Sequence, residues 1–283
     1  MLKTIAIVSA LAAVAAATSL AYRLVNPGWV RYRQSESLLA RGDIEGALAG
    51  YERAWAAGLK REAVFRRLIQ AYLGLGRADA LVRLTQDVAQ AAPAAGAADA
   101  GGAIPEWKAR WELARALSYA KRLDEAAAEY RKLLETKPDL AQARIELANI
   151  LQWSGKPEEA FKELSAVPDR NLDEKSLLLK ADLLVTLKQY EAAAEIYRQR
   201  LSRQKDDYET RVKLAEMLSW ATNYDASIAE FQAALQARPD DIQTRRKYAN
   251  VLIWAGRHDE AAAELRKTLD AAKPDQAAPR ASP

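Results

Sequence analysis

The sequence predicts an all-α chain, a solenoid of repeated helix pairs, and three observations carry that prediction. The stretch 242–274 reads as helix, turn and helix. Arg245, Tyr248, Ala249 and Leu252 fall at i, i+3, i+4 and i+7, one face of an α-helix, and Gly256 ends the run. Ala261, Leu265, Thr268 and Leu269 then mark the inner face of a second helix, and Lys273 and Pro274 close the unit. The pattern also recurs at a nearly constant interval. Trp254 follows Trp220 by 34 residues, Trp220 follows Trp153 by 67 with Thr186 between them, and Trp153 follows Tyr119 by 34. Gly42 and Gly76 keep the same spacing. Finally, a small residue recurs where the two helices of a unit would cross, which lets their axes approach to about 8 to 10 Å while flanking bulky residues fill the grooves.

Residues 1–27 differ in kind from the rest. From Thr4 to Tyr22 there is no charged side chain, and at about 1.5 Å per residue the run approaches the roughly 30 Å of a bilayer core. The expectation is a retained amino-terminal transmembrane helix. The alternative is a signal peptide cleaved after Ala21, which the small residues Ser19 and Ala21 would suit. Arg23, Arg31 and Arg33 follow at once and favour retention. Orientation is pulled both ways: these arginines favour repeats in the cytoplasm, whereas the short basic tail at Lys3 favours export. The adopted reading is export, with the repeats periplasmic and the chain anchored in a bacterial inner membrane through residues 4–22.

Helix-pair units are expected to begin near Gly28, Glu62, Trp107, Ala141, Glu174, Tyr208 and Ile242. The first keeps Ala47, Tyr51 and Ala54 but places Arg31 and Gln34 at otherwise apolar positions, as an end cap of an array would. Repeats 1 and 2 occupy 28–92. An Ala/Gly/Pro-rich stretch over 93–106 lacks apolar periodicity and reads as a loop, since Trp107 lies 45 residues after Glu62. Repeats 3 to 7 fill 107–272, and 273–283 reads as a disordered tail with little to bury.

Composition narrows the function. The 283 residues are 50% hydrophobic and 28% charged, with no cysteine, one histidine and a net charge of +4. The missing cysteines exclude disulfides and thiolate metal sites. His258 stands alone in a turn and reads as a solvated residue, so no metal, cofactor or catalytic group is expected. Basic and acidic residues are interleaved, without the aromatic and basic stripe that single-stranded nucleic acid needs.

The residues themselves resemble the tetratricopeptide repeat family, whose signature runs Trp-x2-Leu-Gly-x2-Tyr, Ala-x3-Phe, Pro. It is clearest in Phe65, Leu68, Ile69, Tyr72, Gly76 and Pro93. Altered copies read Leu113, Ala114, Leu117, Ala126, Tyr130 and Pro138, then Leu147, Ala148, Leu151, Gly155, Ala160 and Leu164. Others read Ala181, Leu184, Ala193 and Tyr197, then Leu214, Ala215, Leu218, Ser227, Phe231 and Pro239. The resemblance implies a tetratricopeptide-type α-solenoid that binds other proteins without catalysis. The run Arg144 to Gly155 is similar to repeats of envelope proteins in exopolysaccharide secretion and biofilm systems.

Three constellations stand out. Arg31, Arg110, Arg144, Arg211 and Arg245 sit where the family usually has tryptophan, and they are expected to pair with a carboxylate or a helix-end carbonyl. The acid pairs Asp124 and Glu125, Glu158 and Glu159, and Asp259 and Glu260 are expected in the first turns of second helices, complementing the helix dipole. The candidate partner-binding site is the ladder Tyr119, Trp153, Trp220 and Trp254, each four residues after Arg115, Asn149, Glu216 and Asn250. In the family this side of the first helix lines the binding groove. The rings read either as packing against the neighbouring repeat or as anchors for an extended ligand. The combined reading is a membrane-tethered scaffold for an envelope multiprotein complex, with polysaccharide binding as the alternative.

Overall fold

The computed structural model describes residues 17–18, 21–22, 24–91 and 103–271. Most of the expected span 4–22, the loop residues 93–102 and the tail 273–283 lie outside the described residues. Among the described residues no helix is long and apolar enough to cross a membrane. They form fourteen α-helices and no strand. In chain order these are α1 (Pro27–Ala40), α2 (Ile44–Ala56), α3 (Glu62–Gly74), α4 (Ala78–Ala91), α5 (Glu106–Tyr119), α6 (Leu123–Thr136) and α7 (Ala141–Trp153). They continue as α8 (Pro157–Ser165), α9 (Glu174–Thr186), α10 (Tyr190–Arg203), α11 (Tyr208–Trp220), α12 (Tyr224–Ala237), α13 (Ile242–Trp254) and α14 (His258–Ala271).

The helices pair as seven repeats, α1 with α2 through α13 with α14. The chain divides into two compact units, Met1–Ala143 with repeats 1 to 3 and Arg144–Pro283 with repeats 4 to 7.

Each pair is joined by a turn that reverses the chain through one left-handed residue. In repeat 7 the Gly256 N–H donates to Ile253 O at 3.0 Å and the Arg257 N–H to Leu252 O at 2.8 Å, which satisfies two carbonyls at the end of α13. Gly256 has φ of 76°, which costs a residue without Cβ nothing. Repeats 3, 5 and 6 make the same turn with Lys121, Lys188 and Thr222 at φ of 63°, 59° and 62°. Side-chain caps start several helices: Asp43, Asp173, Asp207, Asn223 and Asp241 each accept from a backbone N–H three residues on.

The small-residue positions are fully buried. Ala114, Ala148, Ala181, Ala215 and Ala249 on first helices have no exposed surface. Ala126, Ala160, Ala193 and Ser227 are equally enclosed on the second helices. Ser227 fits there because its hydroxyl donates to Ala215 O at 2.7 Å, leaving no unpaired polar atom. Four residues on from each come Tyr130, Leu164, Tyr197 and Phe231, all buried. Tyr197 packs with Leu214, Met217 and Leu218 of the next first helix, and Phe231 with Tyr248, Val251 and Leu252. Each such side chain contributes about 1.5 to 3 kcal/mol by burial.

One expectation is corrected here. Leu265 holds the Phe231 position in repeat 7, yet Leu265 and Leu269 are 36% and 65% exposed, because no described helix follows α14 to cover them. Only Ala261 and Thr268 of the expected inner face are buried. Of the 93–106 stretch, the described residues 103–105 are neither helix nor strand, α5 begins at Glu106, and Ile104 is buried among Phe65, Val88 and Ala109. Ile104 is the one large apolar residue in that stretch, so it fills the first unit's core where alanine and glycine cannot.

Candidate functional site

Every rung of the aromatic ladder is the last residue of the first helix of its repeat. Tyr119 ends α5, Trp153 ends α7, Thr186 ends α9, Trp220 ends α11 and Trp254 ends α13. The constant place follows from the repeat: thirteen- or fourteen-residue first helices with the same small-residue crossing put the same face of the last turn outward each time. Tyr119 and Arg115 belong to the first unit, and the three tryptophans with Asn149, Glu216 and Asn250 to the second.

The rings are open. Trp153 is 63% exposed, Trp254 53%, Trp220 45% and Tyr119 44%. At this exposure the neighbouring repeat does not enclose the rings, although two of them touch it. Trp220 leans on Tyr190 at the start of α10, with ring centroids 5.4 Å apart. The Tyr119 hydroxyl lies 3.5 Å from Leu73 O, the outer limit of a hydrogen bond.

The polar members are less available than the rings. The Asn149 amide donates to Ile145 O of its own helix at 2.8 Å. Glu216 is ion-paired with Lys247 on the first helix of the next repeat. Arg115 reaches Glu112 only at 3.4 Å and is exposed. Asn250 is exposed one turn before Trp254. Ile253, 41% exposed beside Trp254, extends the apolar surface of repeat 7. Sequence spacing alone passes over it because no equivalent residue repeats through the other units.

The arginine series is structural, as expected. Arg110, Arg144 and Arg211 donate to Glu129, Glu163 and Glu230 at 2.7, 2.7 and 2.8 Å, each nineteen residues on and on the second helix of the same repeat. Arg245 makes the same bridge to Glu264, and Arg31 donates to Arg53 O in the last turn of α2 at 3.3 Å. Burial pushes the Glu264 carboxyl up, but Lys267 and Arg245 outweigh it and hold the pKa below the usual value. The acid pairs occupy the first turns of α6, α8 and α14. His258 is the exposed first residue of α14. Among the described residues no group of three or more His, Asp or Glu side chains is arranged to hold a metal ion.

Two tetratricopeptide repeat family models match the chain, one over residues 117–183 and 220–281, the other over residues 174–207. No curated protein matches it. Among solved structures it is similar to YrrB, titled a TPR protein with an unusual peptide-binding site, at 20% identity over 59% of this chain and 87% of that one, TM-score 0.49. It is similar to the MamA protein at 16% identity over 58% and 91%, TM-score 0.49. For MamA from Desulfovibrio magneticus RS-1 the values are 14% identity, 58% and 94%, and 0.48.

Proposed function

We propose, for a chain that belongs to the tetratricopeptide repeat family, that it is a non-catalytic scaffold whose second unit holds an extended segment of another protein against Trp153, Trp220 and Trp254. The observation that carries this reading is the exposure of all three rings at one equivalent place. A folded chain gains nothing by leaving indoles in water, whereas buried aromatic anchors supply much of the affinity of protein interfaces. Asn250 supplies an amide beside Trp254 that can pair with a peptide backbone. The proposal includes the tether: residues 4–22 form an uncleaved span in a bacterial inner membrane, with the repeats periplasmic as part of an envelope complex. The uncharged run of that length supports it.

The test has two parts. A partner captured by cross-linking in native membranes and identified is reduced to peptides, which are titrated while the indole N–H signals of the three tryptophans are followed by NMR. Those signals move together with a bound peptide, and the signal of Trp107 does not. If oligosaccharide moves them and peptide does not, the ladder is a carbohydrate site instead. Intact mass decides the tether: a mature chain that begins at Tyr22 has lost it.

A further inference from the structure

Repeat 5 breaks the rule that the other late repeats obey. The register that aligns Arg144 with Arg211 and Glu163 with Glu230 falls on Leu177 and Ile196 in α9 and α10. No guanidinium crosses between these helices at that level. The arginine of this repeat that pairs with its first helix stands elsewhere, at Arg200, in the register of Leu133, Val167, Ala234 and Thr268, all buried. Arg200 donates to Asp207 at 2.9 Å and is ion-paired with Glu174, so its charge is answered within the protein. A second departure lies just upstream. Helix α8 stops after nine residues, and the chain turns through Pro168 and a 3-10 turn at Asp169–Asn171 before Leu172.

These departures leave a cleft of about 130 Å³, with Leu172, Leu177, Leu178 and Ile196 among its apolar lining and Arg203, Arg200 and the Glu174 that pairs with Arg200 beside them. Leu177, Leu178 and Ile196 are only half-buried. The cleft lies at the start of α9, the opposite end of that helix from the ladder position Thr186. An engineered cavity of about 150 Å³ holds one benzene ring, so the space suits one large apolar side chain. Arg203 is exposed beside it and, among the described residues, has no carboxylate partner.

We propose that this cleft is a second docking site, distinct from the ladder, for a partner-protein segment that presents one large apolar side chain next to a carboxylate. The side chain fills the space between Leu177 and Ile196, and the carboxylate pairs with Arg203. Segments of this chain outside the described residues do not carry that combination. Residues 1–16 have leucine and isoleucine but no acid, 92–102 have Asp99 but no large apolar residue, and 272–283 have Asp275 but none either. The proposed occupant is another protein, argued from the charge of Arg203 beside the apolar lining.

The test titrates the full chain with acetyl-Gly-Phe-Asp-Gly-amide and follows the methyl signals of Leu177, Leu178 and Ile196. The expected result is saturable movement with a Kd of about 1 mM, as suits a single anchored side chain. Replacing the peptide's aspartate by asparagine, or Arg203→Gln in the protein, weakens binding about tenfold. The double variant Leu177→Arg with Ile196→Glu restores the bridge of the neighbouring repeats and abolishes it. The indole signals of Trp153, Trp220 and Trp254 stay still, which separates this site from the ladder. The proposal is overturned by absence of saturation, by equal binding of the peptide with asparagine for aspartate or with alanine for phenylalanine, or by a folded double variant that binds like the parent. It is equally overturned if the same methyls shift with protein concentration alone, because the occupant is then a second copy of this chain.

Discussion

The Tyr208 hydroxyl, at the start of α11, donates to a carboxylate oxygen of Asp241 at 2.7 Å, the residue that caps α13 one repeat later. Asp241 also accepts from the Thr244 N–H and hydroxyl, both at 3.0 Å, so one carboxylate caps a helix and ties two repeats together. The Thr244 N–H, then Tyr208, lower its pKa against the opposing effect of burial.

Because the folded pKa is depressed, the charge contributes stability above the unfolded value of about 4, and this is lost as pH falls through the folded value. Asparagine caps nearly as well as aspartate, so Asp241→Asn isolates the charge. The variant is expected to be about 1 kcal/mol less stable than the parent at pH 7. Urea unfolding at pH 7 and at successively lower pH should show that gap closing. A gap that widens in acid would mean the carboxyl is not held ionised.

Arg245 and Glu264 make the most enclosed of the four bridges that join residues nineteen apart across a repeat, each side chain only 15% exposed. Removing one partner leaves the other poorly solvated, so Arg245→Met and Glu264→Gln are each expected to cost about 2 kcal/mol, and the double variant less than their sum. A double-mutant cycle by chemical denaturation gives the coupling. Strict additivity would show the bridge to be surface decoration.

The repeat register makes the helix pairs and the place of the ladder legible in the sequence, because a period of about 34 residues fixes both the crossing alanines and the outward last turn of each first helix. Features that break the period were not readable in the same way. Leu265 carries the sequence signature of a core residue and is exposed, because among the described residues no helix packs on it as α13 packs on Phe231. Ile104 sits in a stretch without apolar periodicity and is buried because one side chain suffices to fill a gap. The cleft at Leu177 and Ile196 arises from a missing arginine, which leaves no motif to find.

Thr222 is the least comfortable of the turn residues. It is β-branched and held at φ of 62°, where Gly256 makes the equivalent turn without strain. It is exposed, so its side chain adds little packing that would be lost. Thr222→Gly is expected to raise stability by about 1 kcal/mol, the strain relieved being larger than the added freedom of the unfolded chain. Thermal unfolding measures it, and a lower midpoint than the parent would contradict the assignment.

Trp254 and Phe231 are large aromatic residues of the same unit with opposite surroundings. Phe231 has no exposed surface and packs with Tyr248, Val251 and Leu252, so Phe231→Ala is expected to cost about 3 to 5 kcal/mol in folding. Trp254 is more than half exposed, so Trp254→Ala should fall within about 0.5 kcal/mol of the parent, the range of ordinary surface changes. Trp220 belongs between them: its ring contact with Tyr190 is worth about 0.5 to 1.5 kcal/mol, and Trp220→Ala should lose about that much. The order Phe231, Trp220, Trp254 in urea midpoints is thus set by packing alone. Binding should reverse it, because truncating a central anchor costs about 2 kcal/mol or more and only the tryptophans meet the partner. A Trp254→Ala variant that melts as early as Phe231→Ala would place that ring in the core and remove the ladder as an anchoring surface.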